Sequence, residues 1–365
     1  TRRESLAERL VVIGGVAAGM SAAARGKRTN RAMDVIVYQQ DAYISYAACG
    51  MPYLVSGEIA DYRSLIVRSP QQMAEQGVQV HVRHKVIGID TQAQRVAVQE
   101  LDGAREFTQE YDRLVIATGA RPAQPPLPGA DLEGVFALRS LESGMNLLSF
   151  IKKHQPRRAV VIGGGYIGIE MAEAFLHLGL DVKMLVRYGK LMRATLDDDI
   201  RKLVEGELVH HGVDVLRDSP VGFEGNGSLQ AVVTETSTYP CDVALVGIGA
   251  QPNVELGHAA GVALGATGAI ATDAHLRTNI PGVYAAGDCA EALHLVTGEP
   301  AYIPLGSTAN KQGRIAGTNA AGGNATFGGV VGTMVVRAFS LAVSRTGLTS
   351  AQAHASGLTP RDTII

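Results

Sequence analysis

One pattern constrains the fold of this chain more than any other feature: an apolar strand, a glycine-rich turn and a helix of small residues, in that order. Its first copy runs from the strand Leu10–Ile13 through the turn Gly14–Gly19 into a helix that is predicted to begin at Met20. This order is typical of a dinucleotide-binding unit, because glycines permit a tight turn and the helix N-terminus can receive a pyrophosphate. Val16 replaces a glycine that is usual in the turn, so this copy alone also fits an α/β unit that binds no nucleotide.

A second copy of the pattern is more complete. The strand Ala159–Ile162 leads into the turn Gly163–Gly168, and the turn leads into a predicted helix, Ile169–Leu178. At the end of the next strand an acid usually holds the ribose, but Arg187 stands there in this chain. A cation accommodates a 2′-phosphate better than a free hydroxyl, which favours NADPH over NADH. A solvated surface arginine is the alternative.

The first copy also lacks the usual acid. Its second strand, Val35–Tyr38, is followed by Gln39, whose amide can hydrogen-bond a ribose hydroxyl without the strength that a charge adds. Two fingerprints in one chain are much more specific than one, and they predict that the protein holds two nucleotides at once. This pairing indicates FAD in the first domain and a nicotinamide nucleotide in the second.

Composition limits the other classes of function. The 365 residues carry a formal net charge of −2 and are 46% hydrophobic, which suits two or three domains with sizeable cores. Basic residues are scattered, so neither nucleic acid nor a membrane surface is an expected partner. Cys49, Cys241 and Cys289 form no Cys-x-x-Cys pair, which argues against a disulfide scaffold and a cysteine-ligated metal. Without a membrane-length apolar run or a signal-peptide core, we expect a soluble cytoplasmic protein with no metal site.

The predicted fold class is α/β, with two Rossmann-like dinucleotide-binding domains, the second inserted in the first. A proline-dense stretch, Pro122–Pro128, follows the strand-and-turn segment Leu114–Gly119 and indicates a domain boundary. The segment Val243–Gly249 is a similar exit back to the first domain. The expected domains are an FAD-binding domain (1–125 and 250–325), an NAD(P)H-binding domain (126–249), and the start of a C-terminal α+β interface domain (326–365) that is apparently truncated.

The segment Ser45–Tyr53 is where we expect the chemistry. It places Cys49 among small residues, with Gly50 beside it and Pro52 suited to the first turn of a helix. A thiol at a helix N-terminus lies at the positive end of the helix dipole, which favours the reactive thiolate. A lone cysteine is more often a buried structural residue, but the nucleotide motifs on either side favour a redox thiol.

Two later motifs suggest contacts with a flavin. A short apolar strand ends in Gly287-Asp288, where a carboxylate can bind a polyol such as the ribityl chain. The segment Pro304–Arg314 is predicted to begin a helix whose dipole could face the flavin ring. Capping a helix is the ordinary alternative role for Asp288.

Together these motifs resemble the two-dinucleotide-binding flavoprotein reductases that carry a single active-site cysteine. Within them the chain most resembles the reductases of coenzyme A disulfide and coenzyme A persulfide, with NADH oxidases and NADH peroxidases as near relatives. The resemblance covers nearly the whole chain. Its motifs are Gly14–Gly19, Ser45-x-x-x-Cys49-x-x-Pro52, Ala117–Gly119, Gly163–Glu170 and Ala286–Asp288.

The resemblance implies roles at the matching positions. Cys49 would be the redox thiol beside the flavin, and Asp288 would bind the ribityl chain. Tyr166 would cover the flavin until the nicotinamide arrives, and Glu170 would hydrogen-bond the nicotinamide amide. Arg25 and Arg28 would hold the anionic coenzyme A, with solvated surface arginines as the alternative.

The expected binding residues fall into three sets. Those for FAD are Gly14, Val16, Ala17, Ala18, Gly19, Gln39, Ser45, Thr118, Gly119, Asp288 and Ala309. Those for NAD(P)H are Gly163, Gly165, Tyr166, Ile167, Gly168, Glu170, Arg187 and Gly249. Those for the substrate are Arg25, Arg28, Ser45, Asn310 and Lys311.

Three departures from the family pattern change what the resemblance implies. Oxidases and peroxidases carry a histidine in the first turn, where this chain has Ala17 with Ala18 beside it, so a peroxide or sulfenate would lack that proton donor. Gln39 replaces a usual glutamate, which implies weaker FAD binding. Family members also continue for roughly another small domain, which supplies a dimer interface and tyrosines that reach the partner's active site. We therefore expect a homodimer when that domain is complete.

The sequence thus predicts an FAD-dependent NAD(P)H oxidoreductase that reduces coenzyme A disulfide, or a related persulfide or polysulfide, through Cys49 alone. Hydride from the nicotinamide would reach the flavin, and Cys49 would attack the S–S bond as a thiolate and be restored by the reduced flavin. One alternative is an NAD(P)H oxidase or peroxidase that cycles Cys49 through sulfenic acid. The other is a flavin redox sensor that responds to NAD(P)H and governs a partner protein, against which the intact cysteine motif argues.

Overall fold

The computed structural model describes residues 7–361, and the chain divides into two compact units. The first unit comprises residues 7–47, 65–121 and 252–330, and the second unit comprises residues 48–64, 122–251 and 331–361. The largest differences from the predicted domains are that 48–64, which carries Cys49, and 331–361 both belong to the second unit. The assignment of each domain to a cofactor stays a prediction.

Within residues 7–361 the structure has nine α-helices and twenty-two strands. The helices are α1 (Ala17–Thr29), α2 (Met51–Ser56), α3 (Pro70–Ala74), α4 (Leu141–His154), α5 (Tyr166–His177), α6 (Asp198–His210), α7 (Glu255–Ala259), α8 (Gly306–Ala320) and α9 (Ser350–Ala355). The strands are β1 (Arg9–Ile13), β2 (Asp34–Gln39), β3 (Val78–Val82), β4 (His84–Asp90), β5 (Arg95–Glu100), β6 (Glu106–Glu110), β7 (Arg113–Ile116), β8 (Ala120–Pro122), β9 (Val135–Phe136), β10 (Arg158–Ile162), β11 (Asp181–Leu185), β12 (Asp214–Leu216), β13 (Pro220–Asn226), β14 (Ser228–Thr234), β15 (Thr238–Pro240), β16 (Val243–Val246), β17 (Ala250–Pro252), β18 (Val283–Ala285), β19 (Ala292–Leu293), β20 (Pro300–Ala301), β21 (Met334–Ala338) and β22 (Leu341–Arg345). Short 3₁₀ turns are Ala48–Gly50, Tyr62–Leu65 and Arg187–Gly189.

A five-stranded parallel sheet forms the centre of the first unit, in the order β18-β7-β1-β2-β3. Its register places Val11 between Ile36 of β2 and Leu114 of β7. The strands are apolar almost throughout because both faces of the sheet are covered. One face packs on α1 and α8, and the other packs on the antiparallel sheet β4-β5-β6 through Val86 and Val98.

The second unit repeats this plan. Its parallel sheet has the order β12-β11-β10-β16-β9, and α5 packs against β10 and β11. A three-stranded antiparallel sheet, β13-β14-β15, covers part of the sheet through Phe223, Leu229 and Val232. Helix α2 packs against α4 and α5, and the hairpin β21–β22 packs against α5 and α6. The helix that follows Cys49 therefore packs directly against the helix of the second nucleotide motif.

The predicted α/β fold with Rossmann-like sheets is confirmed, and the strands of both fingerprints lie within one residue of their predicted bounds. The two helices begin earlier than predicted, at Ala17 rather than Met20 and at Tyr166 rather than Ile169. The last glycine of each turn lies inside the first helical turn, so it is part of the helix rather than of the loop before it. None of the helices within residues 7–361 has the length and hydropathy that crossing a membrane requires.

Candidate functional site

The first glycine turn brings a helix N-terminus against the end of a strand. Gly14 has a φ of +107°, and its amide donates to the Tyr38 carbonyl at 2.8 Å. A Cβ on Gly14 would lie 2.1 Å from the Ala117 carbonyl oxygen, and one on Gly19 would lie 1.8 Å from the Gly14 oxygen. The backbone of Gly14 is therefore in direct contact with that of Ala117 and with that of Gly19. Within residues 7–361 no side chain caps α1, so its first amides remain available to a phosphate.

The second glycine turn has the same geometry. Gly163 has a φ of +110°, and its amide donates to the Leu185 carbonyl at 2.9 Å. A Cβ on Gly163 would lie 2.4 Å from the Gly247 oxygen, and one on Gly168 would lie 2.0 Å from the Gly163 oxygen. In the described part of the chain α5 also begins without a side-chain cap. Both turns thus provide a cradle that fits a nucleotide pyrophosphate.

The two turns differ at the position that usually holds the ribose. Gln39 is only 4% exposed, accepts a hydrogen bond from the Gly15 amide at 2.7 Å, and donates to Asp41 at 3.0 Å. It therefore ties the end of β2 to the glycine turn, a role that the sequence did not reveal. Strand β11 ends at Leu185, and after Val186 the exposed Arg187 begins the 3₁₀ turn Arg187–Gly189. A ribose contact of Gln39 and a 2′-phosphate contact of Arg187 stay predictions.

Asp288 lies in a turn after β18 and precedes no helix, so the alternative that it caps a helix is wrong. Burial raises the pKa of its carboxyl to about 6. Among residues 7–361 no donor is hydrogen-bonded to this carboxylate, and the buried hydroxyl of Tyr302 is likewise without a partner. Burial, and then the charge of Asp288, raise the pKa of Tyr302. Polar groups left without partners in this way fit a ligand rich in hydroxyl groups.

The predicted FAD residues all lie in the first unit, and the structure brings most of them around the first turn. Gly287 packs so closely on the turn that a Cβ there would lie 2.7 Å from Ala18 Cβ and 3.4 Å from Ala309 Cβ. Ser45, in a left-handed conformation, donates its amide to the Gly15 carbonyl at 2.9 Å. The adjoining Thr118 and Gly119 are held by hydrogen bonds to Asn253.

The predicted substrate residues also lie in the first unit. Asn310 accepts a hydrogen bond from Ser21 at 2.7 Å, which joins α8 to α1. Arg28 and Lys311 are exposed. Arg25 is half-buried, and within the described chain its Nε has no hydrogen-bond partner. Their contacts with a substrate stay predictions.

Cys49 differs from the other two cysteines in its accessibility. It is exposed in the 3₁₀ turn Ala48–Gly50, which leads directly into α2, and Pro52 lies in the first turn of that helix as predicted. Cys241 and Cys289 are buried. Burial raises the pKa of Cys241 to about 12 and also raises the pKa of Cys289, so both remain thiols at neutral pH. Cys49 is therefore the cysteine that a dissolved substrate can reach.

A pocket next to α2 was not predicted from the sequence. We call it the α2–α5 pocket, and its lining residues are Pro52, Tyr53, Ser56, Glu58, Glu170, Glu173, Ala174 and Arg337. Burial and the Glu173 charge raise the pKa of Glu170 to about 7, against the opposing effect of Arg337. Glu170 is thus the predicted nicotinamide contact whose charge changes near neutral pH. The sequence signal for this pocket was the spacing of Glu170 and Glu173, which places both on one helix face.

The remaining predicted nicotinamide residues lie around the second turn and in the second unit. Tyr166 is the first residue of α5, and burial raises the pKa of its hydroxyl against a hydrogen bond with Thr195. Ile167 is exposed, and Gly249 has a φ of +123° just before β17. No group of three or more His, Cys, Asp or Glu within residues 7–361 could hold a metal ion.

Two nucleotide cradles and one exposed cysteine define an oxidoreductase that binds two nucleotides. The sequence matches the family described as pyridine nucleotide-disulphide oxidoreductase over residues 8–320, and the chain belongs to that family. This is an FAD-dependent family with structural relatives bound to NADH or NADPH. The predicted family, enzyme class and cofactor class are therefore confirmed.

Individual relatives are named for sulfur and oxygen chemistry. The chain is 38% identical over 357 residues to the "NAD(P)H sulfur oxidoreductase (CoA-dependent)" of Pyrococcus abyssi, covering 98% of this chain and 79% of that protein. It matches the NAD-dependent persulfide reductase of A. fulgidus with a TM-score of 0.91 and 35% identity, over 96% of this chain and 65% of the other. It matches the water-forming NADH oxidase of Lactobacillus brevis, bound to NADH, with a TM-score of 0.92 and 30% identity, over 96% and 78%. The chain thus spans about two thirds to four fifths of these relatives.

Proposed function

We propose that this protein is an FAD-dependent NAD(P)H oxidoreductase that reduces the S–S bond of coenzyme A disulfide, or of a related persulfide or polysulfide, at Cys49. The observation that carries the proposal is the exposure of Cys49 at the start of α2, in the same unit as the second glycine turn. The other cysteines are buried, which leaves one sulfur for the reaction. The names of the P. abyssi and A. fulgidus relatives support a sulfur substrate.

The cofactors of the proposal follow from the two cradles. The first turn, Asp288 and Ser45 would hold FAD, and the second turn with Glu170 would hold the nicotinamide nucleotide. When bound, the flavin supplies a route by which two electrons from the nicotinamide reach sulfur. The protein's own contribution is to fix both pyrophosphates at helix N-termini and to present the exposed Cys49 sulfur to the substrate.

The proposed step at Cys49 is a thiol–disulfide exchange. The Cys49 thiolate attacks one sulfur of the substrate, forming a new S–S bond and releasing the other sulfur as a thiolate. Two electrons from NAD(P)H then cleave the enzyme-bound S–S bond, which restores the Cys49 thiolate and releases the second thiol after protonation. One cysteine is sufficient for this cycle.

A disulfide or persulfide substrate is favoured over a peroxide by the first glycine turn. The resemblance to oxidases and peroxidases implies a histidine at the position of Ala17, so reduction of a sulfenate at Cys49 would lack an imidazole as proton donor. A coenzyme A thiolate needs less help from an acid to leave than the hydroxide of a sulfenate does. The reason is that thiols have a pKa near 8.5, far below that of water. The orphaned Arg25 Nε supports an anionic substrate such as coenzyme A.

An NAD(P)H oxidase is the second candidate, supported by 30% identity to the L. brevis NADH oxidase. In it Cys49 would pass through a sulfenic acid. Consumption of oxygen, hydrogen peroxide and coenzyme A disulfide by one preparation separates the two functions. Faster turnover with coenzyme A disulfide or persulfide supports the proposal, and faster turnover with oxygen or peroxide overturns it.

Arg187 carries a prediction about nucleotide choice. We expect Arg187→Ala to lower kcat/KM for NADPH about tenfold, since a charge-assisted contact with the 2′-phosphate is lost. The value for NADH, which has no such phosphate, should change by less than about twofold. Lys202→Ala, which removes another exposed cation in the same unit, is the matched control. An equal fall in kcat/KM for both nucleotides would show that Arg187 does not bind the 2′-phosphate.

We further propose that an interface domain begins within residues 326–365, of which residues 331–361 are described as part of the second unit, and that it completes a homodimer. Residues 331–361 form the hairpin β21–β22 and the helix α9, with Val335 74% exposed on β21. A longer chain with the additional length of the relatives should sediment as a dimer. A monomer at micromolar concentration would contradict this part of the proposal.

A further inference from the structure

A single arginine joins the cysteine segment to the helix of the second nucleotide motif. The Nη2 atom of Arg337, on β21, lies 3.1 Å from Glu58 Oε1 and 2.9 Å from Glu173 Oε1. Glu58 follows α2 by two residues, and Glu173 lies on α5. The guanidinium also stacks over the Tyr53 ring of α2, with Cζ 5.1 Å from the ring centroid. Arg337 therefore contacts both elements at once.

The two acids that Arg337 contacts both accept hydrogen bonds from its guanidinium. Glu173 accepts from Arg337 with one oxygen, and its other oxygen accepts from the Phe339 amide at 2.8 Å. Glu58 faces the guanidinium with both oxygens, at 3.1 and 3.4 Å. Glu170 lies one helical turn before Glu173 on α5, and both line the α2–α5 pocket. The negative charge of Glu173 opposes ionisation of Glu170, and the positive charge of Arg337 favours it.

We propose that Arg337 is a positioning residue that keeps Glu170 in its charged, hydrogen-bond-accepting form for the nicotinamide amide. This inference rests on the proposed function, because it assigns to Glu170 the contact with the nicotinamide. A carboxylate accepts a hydrogen bond more strongly than a carboxylic acid does. By compensating Glu58 and Glu173, Arg337 makes the charged form of Glu170 accessible at neutral pH.

The charges around Glu170 come from three elements. Tyr53 and Glu58 face the pocket from α2 and the residues after it, Glu173 faces it from α5, and Arg337 faces it from β21. Burial and the charge of Glu173 raise the pKa of Glu170, and Arg337 lowers it, for a result of about 7. Loss of the arginine should therefore raise the midpoint of the Glu170 titration, whereas loss of the Glu173 charge should lower it.

The test uses the FAD-loaded protein and measures nicotinamide binding directly. We expect Arg337→Gln to raise the pH midpoint of NADPH binding, followed by calorimetry, by about one unit, the low end for one nearby opposite charge. The charged fraction of Glu170 at pH 7 then falls from about one half to about one tenth, so affinity falls about fivefold, and the difference closes above about pH 9. Arg337→Lys should restore much of the midpoint.

Glu173→Gln is the variant of opposite sign. It keeps an oxygen for the Phe339 amide but removes the charge, so it should lower the midpoint. The titration of ¹³C-labelled glutamate by NMR, with Glu170→Gln to assign the signal, gives the same midpoints without turnover. Midpoints that move in the same direction in Arg337→Gln and Glu173→Gln, or do not move, overturn the inference.

The measurement also separates this inference from the proposed function. Unmoved midpoints together with Cys49-dependent reduction of coenzyme A disulfide would remove Arg337 from its role and leave the function in place. Midpoints that move as expected in a protein that does not reduce the disulfide would establish the electrostatic role and overturn the proposed substrate. Thermal denaturation of each variant reports any loss of folded protein.

Discussion

Cys49→Ser is expected to retain bound FAD and its rapid reduction by NADPH, and to lower turnover of coenzyme A disulfide by at least about a thousandfold. A serine hydroxyl cannot form the S–S bond on which the proposed exchange depends, but it preserves the volume and the start of α2. Stopped-flow absorbance of the flavin measures the first half of the reaction. Release of free thiol under steady-state conditions measures the second.

Cys241→Ala is the matched control for this prediction. Its thiol is fully buried in the core of the second unit, with a pKa raised to about 12 by burial, so it has no access to a substrate. We expect a loss of stability of about 1 kcal/mol and unchanged turnover per folded molecule. Disulfide turnover that persists in Cys49→Ser would remove Cys49 from the mechanism, whatever the control shows.

The sequence predicts the strands on either side of the two glycine turns to within one residue, because these strands are apolar along almost their whole length. Strands such as β1 and β10 are buried on both faces, and this produces continuous apolar runs with glycine at their ends. The starts of α1 and α5 are less predictable. A glycine in the loop before a helix and a glycine inside the first helical turn look the same in a sequence. The two positions can be distinguished only by the backbone contacts in the structure.

The parts of the candidate site that lie in one contiguous motif can be predicted from the sequence. The parts that are assembled from distant segments cannot. The two turns and the cysteine segment are contiguous, so their residues can be identified from spacing. Arg337 meets Glu58 across 279 positions and Glu173 across 164, and no local pattern relates them. Gln39 was expected to face a ribose, but its bond to the Gly15 amide depends on how β2 ends beside the turn.

A single substitution in either glycine turn is expected to weaken binding of one nucleotide and leave the other bound. Gly14→Ala should abolish FAD retention, and Gly163→Ala should leave FAD bound but weaken NADPH binding about a hundredfold. Both glycines have a φ near +110°, a conformation that L-residues rarely adopt, and an added Cβ would lie 2.1 Å and 2.4 Å from carbonyl oxygens. The flavin absorbance of purified protein measures the first effect, and calorimetry with NADPH measures the second.

Gly206→Ala provides the control for adding one methyl group. Gly206 lies inside α6, exposed, with no atom within 4 Å of an added Cβ, so alanine should raise the free energy of unfolding by about 0.5–1 kcal/mol and leave both nucleotides bound. The turn variants also add one methyl group, but at positions with a positive φ and with a carbonyl oxygen in the way of the Cβ. If Gly14→Ala lost NADPH but kept FAD, or Gly163→Ala lost FAD but kept NADPH, the proposed assignment of the two cofactors would be reversed, because each turn acts only on the pyrophosphate that it cradles.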